Sequence, residues 1–140
     1  MSERACKAYF GRRYTISASH RLHADALTVK ANRKVYGKCN NPHGHGHNYV
    51  IEVLVRGRVD PETGMVINLK DLDSVVRTKV LKRFDHTNLN FDPAFQDRVP
   101  TTENLCKAVF DLLDGELAPA NLVQVRVEET ENNFFEYCGG

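Results

Sequence analysis

Apolar and polar side chains alternate along several short segments of the chain, which is the pattern of β-strands that bury one face. In the clearest example, NYVIEVLVRGRV, one face carries Tyr49, Ile51, Val53 and Val55. This segment ends at DPETG, whose proline and glycine indicate a turn. Strand-like content and turn signals together predict four strands, over residues 5–19, 48–59, 122–129 and 134–138.

Two segments between the second and third strands carry apolar residues at helical spacing. The first helix is predicted to begin at Asn68, and its apolar stripe is Leu69, Leu72, Val76, Val80 and Phe84. The second begins near Thr101, after Pro100, and its apolar face is Leu105, Val109, Leu112 and Leu113. Residues 21–38 are polar and follow neither period, so they are predicted to form a long loop.

The predicted order of elements is strand, strand, helix, helix, strand, strand (ββααββ), which indicates the α+β class. We expect a four-stranded antiparallel sheet with the two helices on one face, in a single domain over residues 1–140. Such a sheet has open edges and a partly uncovered face. Pairing with other subunits would cover them.

The overall composition narrows the functional classes. Hydrophobic residues make up 41% and charged residues 26% of the chain, which is typical of a globular protein. A formal net charge of +1 gives no support for a nucleic-acid partner. The sequence has no apolar run of about 20 residues that would span a membrane and no apolar signal-peptide core, so the cytoplasm is the expected location.

The cysteines form neither a metal-binding nor a disulfide framework. No C-x-x-C pair occurs among Cys6, Cys39, Cys106 and Cys138. In a reducing compartment they are expected to be free thiols. Cys106 lies in an apolar helical pattern and is expected to pack in the core, whereas Cys6 and Cys138 are expected in the terminal strands.

Residues 39–49, CNNPHGHGHNY, place histidines at alternate positions. His45 and His47 continue the apolar row of the second strand, and His20 shares a face with the apolar residues of the first. Two or three imidazoles on neighbouring strands can converge on one ion. Three neutral imidazoles that leave one tetrahedral position open are typical of catalytic zinc.

Two other histidines are spare ligand candidates. His43 follows Pro42 and precedes the second strand, so it is expected to be a bystander. His23 lies in the predicted loop and is expected to be solvated. For the cluster as a whole, the alternative to a functional metal site is a solvated loop, or a group of histidines that binds nickel adventitiously.

Four further residues are candidates for chemistry. A thiolate near a dication has a lowered pKa and can act as a base, although a loop cysteine without a role is the alternative for Cys39. His86, paired with Asp85 in FDHTNLN, is either a proton carrier or a helix-capping or surface histidine. Glu129 ends an apolar row, so its carboxylate is expected to point inward and to need a partner, such as a heterocycle with two adjacent N–H donors. The alternative is a strand-end glutamate that is solvated or paired with Arg126 or a lysine.

The order and spacing of six motifs resemble the 6-pyruvoyltetrahydropterin synthase family: SASHRL, GKCNNPHGHGHNY, DPETGMVINL, DHTNLN, PTTENL and EETENN. The resemblance extends from about residue 14 to residue 139. It implies the tunnelling fold (T-fold), in which three subunits join their sheets into a barrel and two trimers stack into a homohexamer. Active sites in this family lie at subunit interfaces.

The resemblance also implies an activity and a set of site residues. The reaction is the conversion of 7,8-dihydroneopterin triphosphate to 6-pyruvoyltetrahydropterin with loss of triphosphate, in tetrahydrobiopterin-type biosynthesis. The enzyme class is a carbon–oxygen lyase acting on phosphates. The ligands of Zn²⁺ would be His20, His45 and His47. The acid–base residues would be Cys39, Asp85 and His86. The substrate-binding residues would be Glu129, Thr101, Thr102 and Glu103.

His43 departs from the pattern common in animal members, since it creates a second HGH motif that overlaps the first. In the related 6-carboxy-tetrahydropterin synthases of queuosine biosynthesis, the cysteine tends to lie four residues before the first ligand histidine. Cys39 lies four residues before His43 and six before His45, so this enzyme is the alternative function. The asparagine and tyrosine after His47 favour the pyruvoyl enzyme. A non-catalytic module that binds zinc or pterin is the second alternative.

Overall fold

The structure is a computed structural model and describes residues 7–140. Its strands and helices in chain order are β1 (Lys7–His20), α1 (Val29–Tyr36), β2 (His45–Arg58), α2 (Leu69–Val76), α3 (Lys82–Phe84), β3 (Thr87–Asn88), α4 (Thr102–Leu113), β4 (Asn121–Glu128) and β5 (Phe134–Tyr137). A π-helical turn, Arg77–Leu81, joins α2 to α3, so the two form one continuous helical segment. This segment and α4 are the two helices that the apolar periodicity predicts.

The sheet has five strands in the order β3-β1-β2-β4-β5, one more than predicted. Four of them pair antiparallel, as expected, whereas β3 pairs parallel with β1 through two residues. The turn after α3 is fastened to the edge of β1 by two hydrogen bonds. The N–H of Ser17 donates to Oδ1 of Asp85 at 2.8 Å, and the N–H of His86 donates to the carbonyl of Ser17 at 2.6 Å. A strand this short shows no period in a sequence, so alternation alone misses it.

One face of the sheet is buried against the helices. In β2 every second residue from Tyr49 to Val55 is fully buried, while the residues between them are partly exposed. The helical residues packed on this face are Leu72, Val76, Val80, Phe84, Leu105, Val109 and Leu113. The α+β class and the helices on one face therefore agree with the prediction.

A β-bulge in β4 changes the face that two residues occupy. Strict alternation predicts Val123 on the core face and Leu122 on the opposite face. The pairing register shifts between Leu54 and Val55, so that Val55 lies opposite Leu122, which packs against the core. Residues after the bulge keep the predicted orientation. The predicted core-facing row is therefore correct for Val125 and Val127, the two residues of the row that lead to Glu129.

The prediction of a long loop over residues 21–38 is wrong, because α1 forms within it. The hydroxyl of Thr28 caps this helix by accepting a hydrogen bond from the N–H of Ala31 at 3.1 Å. The amide of the buried Asn32 bonds to both the N–H and the carbonyl of Ala24 and to the carbonyls of Leu27 and Thr28. The helix is held by hydrogen bonds between side chains and backbone, and its buried residue is the polar Asn32. Its sequence therefore carries no apolar stripe from which a helix could be predicted.

The described cysteines are free thiols, as expected: Cys39, Cys106 and Cys138. Cys106 is fully buried in α4, which confirms its predicted place in the core. Cys6 and the start of the predicted first strand lie outside the described residues. Among residues 7–140, no helix is both long enough and apolar enough to cross a membrane.

Candidate active site

Three histidines from two neighbouring strands meet at one end of the buried face. His20 is the last residue of β1 and lies opposite His45, the first residue of β2. His47 follows two residues later and points to the same face as His45. The ring centroids lie 4.6 Å apart for His20 and His45, 5.1 Å for His20 and His47, and 4.7 Å for His45 and His47. The structure thus brings together the three histidines that we call the histidine cluster.

Hydrogen bonds on the far side of His20 set its orientation. Nδ1 of this fully buried ring lies 2.7 Å from the carbonyl oxygen of Pro100, which can only accept, so we assign the proton to Nδ1. Nε2 then carries a lone pair and faces Nε2 of His45 at 3.0 Å. The buried hydroxyl of Tyr49 lies 3.1 Å from the same Nδ1. Sequence reasoning missed both partners: Tyr49 shares the strand face of the histidines, but no sequence signal indicates the Pro100 carbonyl.

The remaining polar atoms of the site are arranged for a cation rather than for hydrogen bonds. Nδ1 of His45 and Nε2 of His47 are buried and have no hydrogen-bond partner among the described residues. Nε2 of His47 lies 2.9 Å from Oε1 of Glu129, but this contact lacks hydrogen-bond geometry. Ligand atoms of the histidine cluster and Glu129 all lie within 4.8 Å of one another. Because buried polar atoms without partners are destabilising, this donor set fits a metal ion with nitrogen and oxygen ligands.

Burial keeps two of the imidazoles in the form that binds metals. Removal from water lowers the pKa of His20, and this effect outweighs the hydrogen bond to Pro100, which raises it. Burial also lowers the pKa of His47, against the opposing charge of Glu129. Both rings are therefore neutral at pH 7, and neutral imidazole is the ligand form.

Glu129 follows the last residue of β4, and its carboxylate lies beside His20 and His47 on the buried face, as the alternation along that strand predicts. The hydroxyl of Thr102 donates a hydrogen bond to Oε2. Thr101 instead caps α4, with its hydroxyl accepting from the N–H of Asn104 at 3.1 Å. Glu103 is exposed in the first turn of α4. Thr101, Thr102 and Glu103 are all predicted to bind substrate. Among the described residues, Thr102 is the one of these three that forms a hydrogen bond with Glu129.

Cys39 lies in a 3₁₀ turn, Gly37–Asn40, just before β2. Its carbonyl accepts a hydrogen bond from the N–H of Leu22 at 2.8 Å, which fastens the turn to the end of β1. The residue is half-buried, and burial raises the pKa of its thiol, with the negative charge of Glu129 raising it further. A cation at the histidine cluster would oppose both effects.

Asp85 and His86 lie beyond the other edge of β1, after α3. Oδ2 of Asp85 is 3.6 Å from Nε2 of His86, whose side chain is 81% exposed. His86 adopts a left-handed backbone conformation with φ of 59°. Within the described part of one chain, no hydrogen bond or ion pair joins either residue to Cys39 or to the histidine cluster. A cavity of about 470 Å³ has both His86 and His47 in its lining.

The two spare histidines lie outside the cluster. His43 is exposed in the turn before β2, as expected of a bystander, and its N–H donates to Oδ1 of Asn41 at 3.1 Å. His23 is half-buried rather than solvated, because Nδ1 accepts a hydrogen bond from the buried amide of Asn40 at 3.0 Å. The cluster therefore contains the second HGH motif and not the first.

Known proteins resemble this chain over nearly its whole length. A model of the family described as 6-pyruvoyl tetrahydropterin synthase matches residues 9–139. A human protein named 6-pyruvoyl tetrahydrobiopterin synthase is 47% identical over 137 residues, which cover 97% of this chain and 94% of the relative. A solved structure of Caenorhabditis elegans 6-pyruvoyl tetrahydropterin synthase is 40% identical with a TM-score of 0.94, and the match covers 99% of this chain and 100% of that one.

A relative with a different name matches over a shorter segment. It is a protein of Archaeoglobus fulgidus, provisionally named 6-carboxy-5,6,7,8-tetrahydropterin synthase, and it is 42% identical over 94 residues. These residues cover 66% of this chain and 73% of that protein. The resemblance that the six motifs indicate is confirmed by the family match and by the human relative. This chain belongs to the 6-pyruvoyl tetrahydropterin synthase family.

Proposed function

We propose that this protein is a zinc-dependent 6-pyruvoyltetrahydropterin synthase, an enzyme of the carbon–oxygen lyase class that acts on phosphates. It would convert 7,8-dihydroneopterin triphosphate to 6-pyruvoyltetrahydropterin with elimination of triphosphate, in tetrahydrobiopterin-type biosynthesis. The observation that carries the proposal is the convergence of the histidine cluster beside Glu129. The names of the human and C. elegans relatives support it. A single domain over residues 1–140, located in the cytoplasm, stays a prediction from the sequence.

His20, His45 and His47 would hold the zinc ion. Three neutral imidazoles and one open position are the arrangement that Zn²⁺ takes in catalytic sites. When bound, zinc supplies Lewis acidity, which lowers the pKa of protons on a hydroxyl-bearing side chain beside it. The carbonyl of Pro100 keeps Nε2 of His20 available as a ligand by holding the proton on Nδ1.

Cys39, Asp85 and His86 would move the protons of the reaction. The Cys39 thiolate would take a proton from the substrate side chain, and His86, oriented by Asp85, would relay or return one. Triphosphate leaves with the electron pair of its C–O bond. An internal redox tautomerisation then transfers electrons from the side chain to the pterin ring, so no external reductant is required.

Glu129 would bind the pterin ring by accepting hydrogen bonds from two adjacent N–H groups. The Thr102 hydroxyl, bonded to Oε2, would hold the carboxylate in position. Thr101 supports the same segment by capping α4. Glu103 stays a predicted substrate contact, at an exposed position beside them.

We infer that each active site combines residues of two subunits. Asp85 and His86 precede β3, an edge strand of the sheet, and the exposed ring of His86 has no bond to Cys39 of its own chain among the described residues. Joining the sheets of three subunits into a barrel would cover the open edges β3 and β5. Stacking two such trimers would give the homohexamer that the resemblance implies.

Coexpression of two inactive variants tests the shared site. Cys39→Ala and His86→Ala are each expected to lack turnover, whereas equal amounts assembled together are expected to regain about a quarter of wild-type activity, because about one site in four then combines an intact Cys39 with an intact His86. The measurement is triphosphate release by the purified mixed oligomer.

The matched control for this experiment is wild type coexpressed with the double variant C39A/H86A. Shared sites predict about a quarter of full activity for this mixture too, whereas sites within one chain predict about half. No recovery in the first mixture together with half activity in the second would contradict the shared site.

The 6-carboxy-tetrahydropterin synthase reaction is the second candidate, since the Archaeoglobus relative carries that name and Cys39 lies four residues before His43. The position of His43 outside the cluster supports the pyruvoyl reaction instead. A module that binds zinc or pterin without catalysis is the other alternative. The presence of both Cys39 and His86 argues against it.

Product analysis decides among these functions. Zinc-loaded protein incubated with 7,8-dihydroneopterin triphosphate is expected to release triphosphate and to form 6-pyruvoyltetrahydropterin, both followed by mass spectrometry. A carboxypterin together with acetaldehyde would assign the protein to queuosine biosynthesis. Binding of zinc and pterin without any turnover would identify a binding module.

A further inference from the structure

Oε1 of Glu129 lies directly beside two rings of the histidine cluster. It is 2.9 Å from Nε2 of His47 and 3.8 Å from Nε2 of His20. Ligands at about 2.05 Å from a tetrahedral metal ion lie roughly 3.3 Å from one another. The two distances from Glu129 lie on either side of this spacing, and Oε1 belongs to the group of potential ligand atoms that lie within 4.8 Å of one another.

The contact between Glu129 and His47 is not explained by a hydrogen bond. Nε2 of His47 is buried and has no hydrogen-bond partner in the part of the chain that the structure describes. When no proton is shared, a nitrogen lone pair and a carboxylate oxygen that face each other repel, unless both bind one cation. The pair therefore points to a shared cation more directly than either residue alone.

Thr102 holds the second oxygen of the same carboxylate. Its hydroxyl donates to Oε2 from the first turn of α4, where the residue is buried. Oε1 is left to face the histidines. A carboxylate with one oxygen toward the ion and the other hydrogen-bonded to the protein is the usual form of a metal ligand with an outer partner.

We propose that Glu129 is the fourth ligand of the metal ion while the site is empty of pterin, and that the pterin ring displaces it. The inference rests on the proposed function and adds the resting state of its site. Before substrate arrives, the carboxylate closes the tetrahedron of the histidine cluster and neutralises part of the charge of the buried dication. Once it accepts the N–H groups of the ring, Oε1 leaves and the fourth position opens for the substrate side chain. Thr102 is the positioning residue for both states.

Zinc affinity in the absence of pterin tests the ligand role. Glu129→Gln is expected to bind zinc at least about tenfold more weakly than wild type in competition with a chelator, since an amide oxygen is a poorer ligand for the dication than a carboxylate. The matched control is Glu128→Gln, which removes the same charge from the adjacent residue. Glu128 pairs with Arg126 at 3.1 Å and lies outside the cluster. Equal zinc affinities for the two variants would overturn the inference.

Cobalt reports the same ligand independently of affinity. The visible absorption of the Co²⁺-loaded protein is expected to change in Glu129→Gln and in Thr102→Val, and to stay that of wild type in Glu128→Gln. Circular dichroism and thermal melting of the metal-free proteins establish that each variant is folded. Identical cobalt spectra for all four proteins would overturn the inference.

A crystal structure of the zinc-loaded wild type without pterin needs no variant at all. Oε1 of Glu129 is expected at about 2.0–2.2 Å from the metal, the distance of a carboxylate ligand. A water molecule in that position, with Glu129 turned away, would overturn the inference.

Failure of this inference is distinguishable from failure of the proposed function. If the wild type turns over substrate but Glu129→Gln leaves zinc affinity unchanged, the proposed function stands and the proposed role of Glu129 as a metal ligand is wrong. If the wild type binds zinc through Glu129 but forms no product, the proposed function is wrong and the proposed role of Glu129 as a metal ligand stands.

Discussion

Replacement of His47 by alanine is expected to lower the affinity for zinc at least about 100-fold, because losing only an outer partner of a metal ligand already costs about 10- to 100-fold. The substitution removes a buried nitrogen that the structure leaves without a hydrogen-bond partner among residues 7–140. Turnover is expected to fall with zinc content, since the proposed proton transfers need the Lewis acid. Chelator competition measures the affinity, and mass spectrometry measures the product.

The matched control for this prediction is His43→Ala. It removes a histidine from the same HGHGH segment, but one that is exposed and lies outside the cluster. Zinc affinity and turnover are expected to stay those of wild type. Loss of zinc from H43A with retention in H47A would instead assign the first HGH motif to the metal, and it would make the carboxy reaction the leading function.

Replacement of Cys39 by alanine is expected to lower the rate of triphosphate release by about 10²- to 10⁴-fold, the usual contribution of a general base. Zinc affinity is expected to be unchanged, because the cluster of potential ligand atoms consists of three histidines and Glu129 and does not include Cys39. Single-turnover measurement of triphosphate release checks the rate.

Cys138→Ala is the matched control for Cys39→Ala, since its thiol is exposed just after β5. It is expected to retain full turnover. Cys39→Ser adds a second comparison, because a hydroxyl is a much weaker acid than a thiol and should restore little of the rate. A rate for C39A close to that of wild type would exclude Cys39 as the base.

Except at the β-bulge of β4, alternation along the strands predicted the buried face correctly, including the direction of the metal-prone side chains. His45 and His47 continue the row of Tyr49, and His20 ends the matching row of β1. This works because side-chain direction in a strand depends on the backbone of that strand alone. The helical stripes succeed for the same reason, as the burial of Val76 shows.

The sequence did not predict α1 or β3, because neither element is held mainly by apolar packing. Helix α1 is stabilised by the Thr28 cap and by the buried amide of Asn32, and β3 is held by the bonds between Ser17 and the turn at Asp85. Hydrogen bonds of this kind depend on which backbone groups happen to be near. The pattern of apolar residues along the chain therefore does not predict these hydrogen bonds.

Local features made Cys39, Asp85 and His86 candidates for proton transfer, and only the resemblance favoured these roles over the alternatives. In a sequence, a loop cysteine such as Cys39 or an Asp–His pair such as Asp85 and His86 has the same local features whether or not it takes part in catalysis. The structure gives their surroundings, and it leaves the pair apart from Cys39 within one chain in residues 7–140.

Apart from the β-bulge in β4, the sequence by itself determined which side chains point inward and which segments form the main strands and helices, because both are local properties of the backbone. Only the tertiary structure decided which inward side chains meet. The pairing of β2 with both β1 and β4 brings His47 beside His20 and Glu129, and the entry into α4 places the Pro100 carbonyl behind His20. Such contacts depend on strand order and register across the whole chain, which no local period can specify.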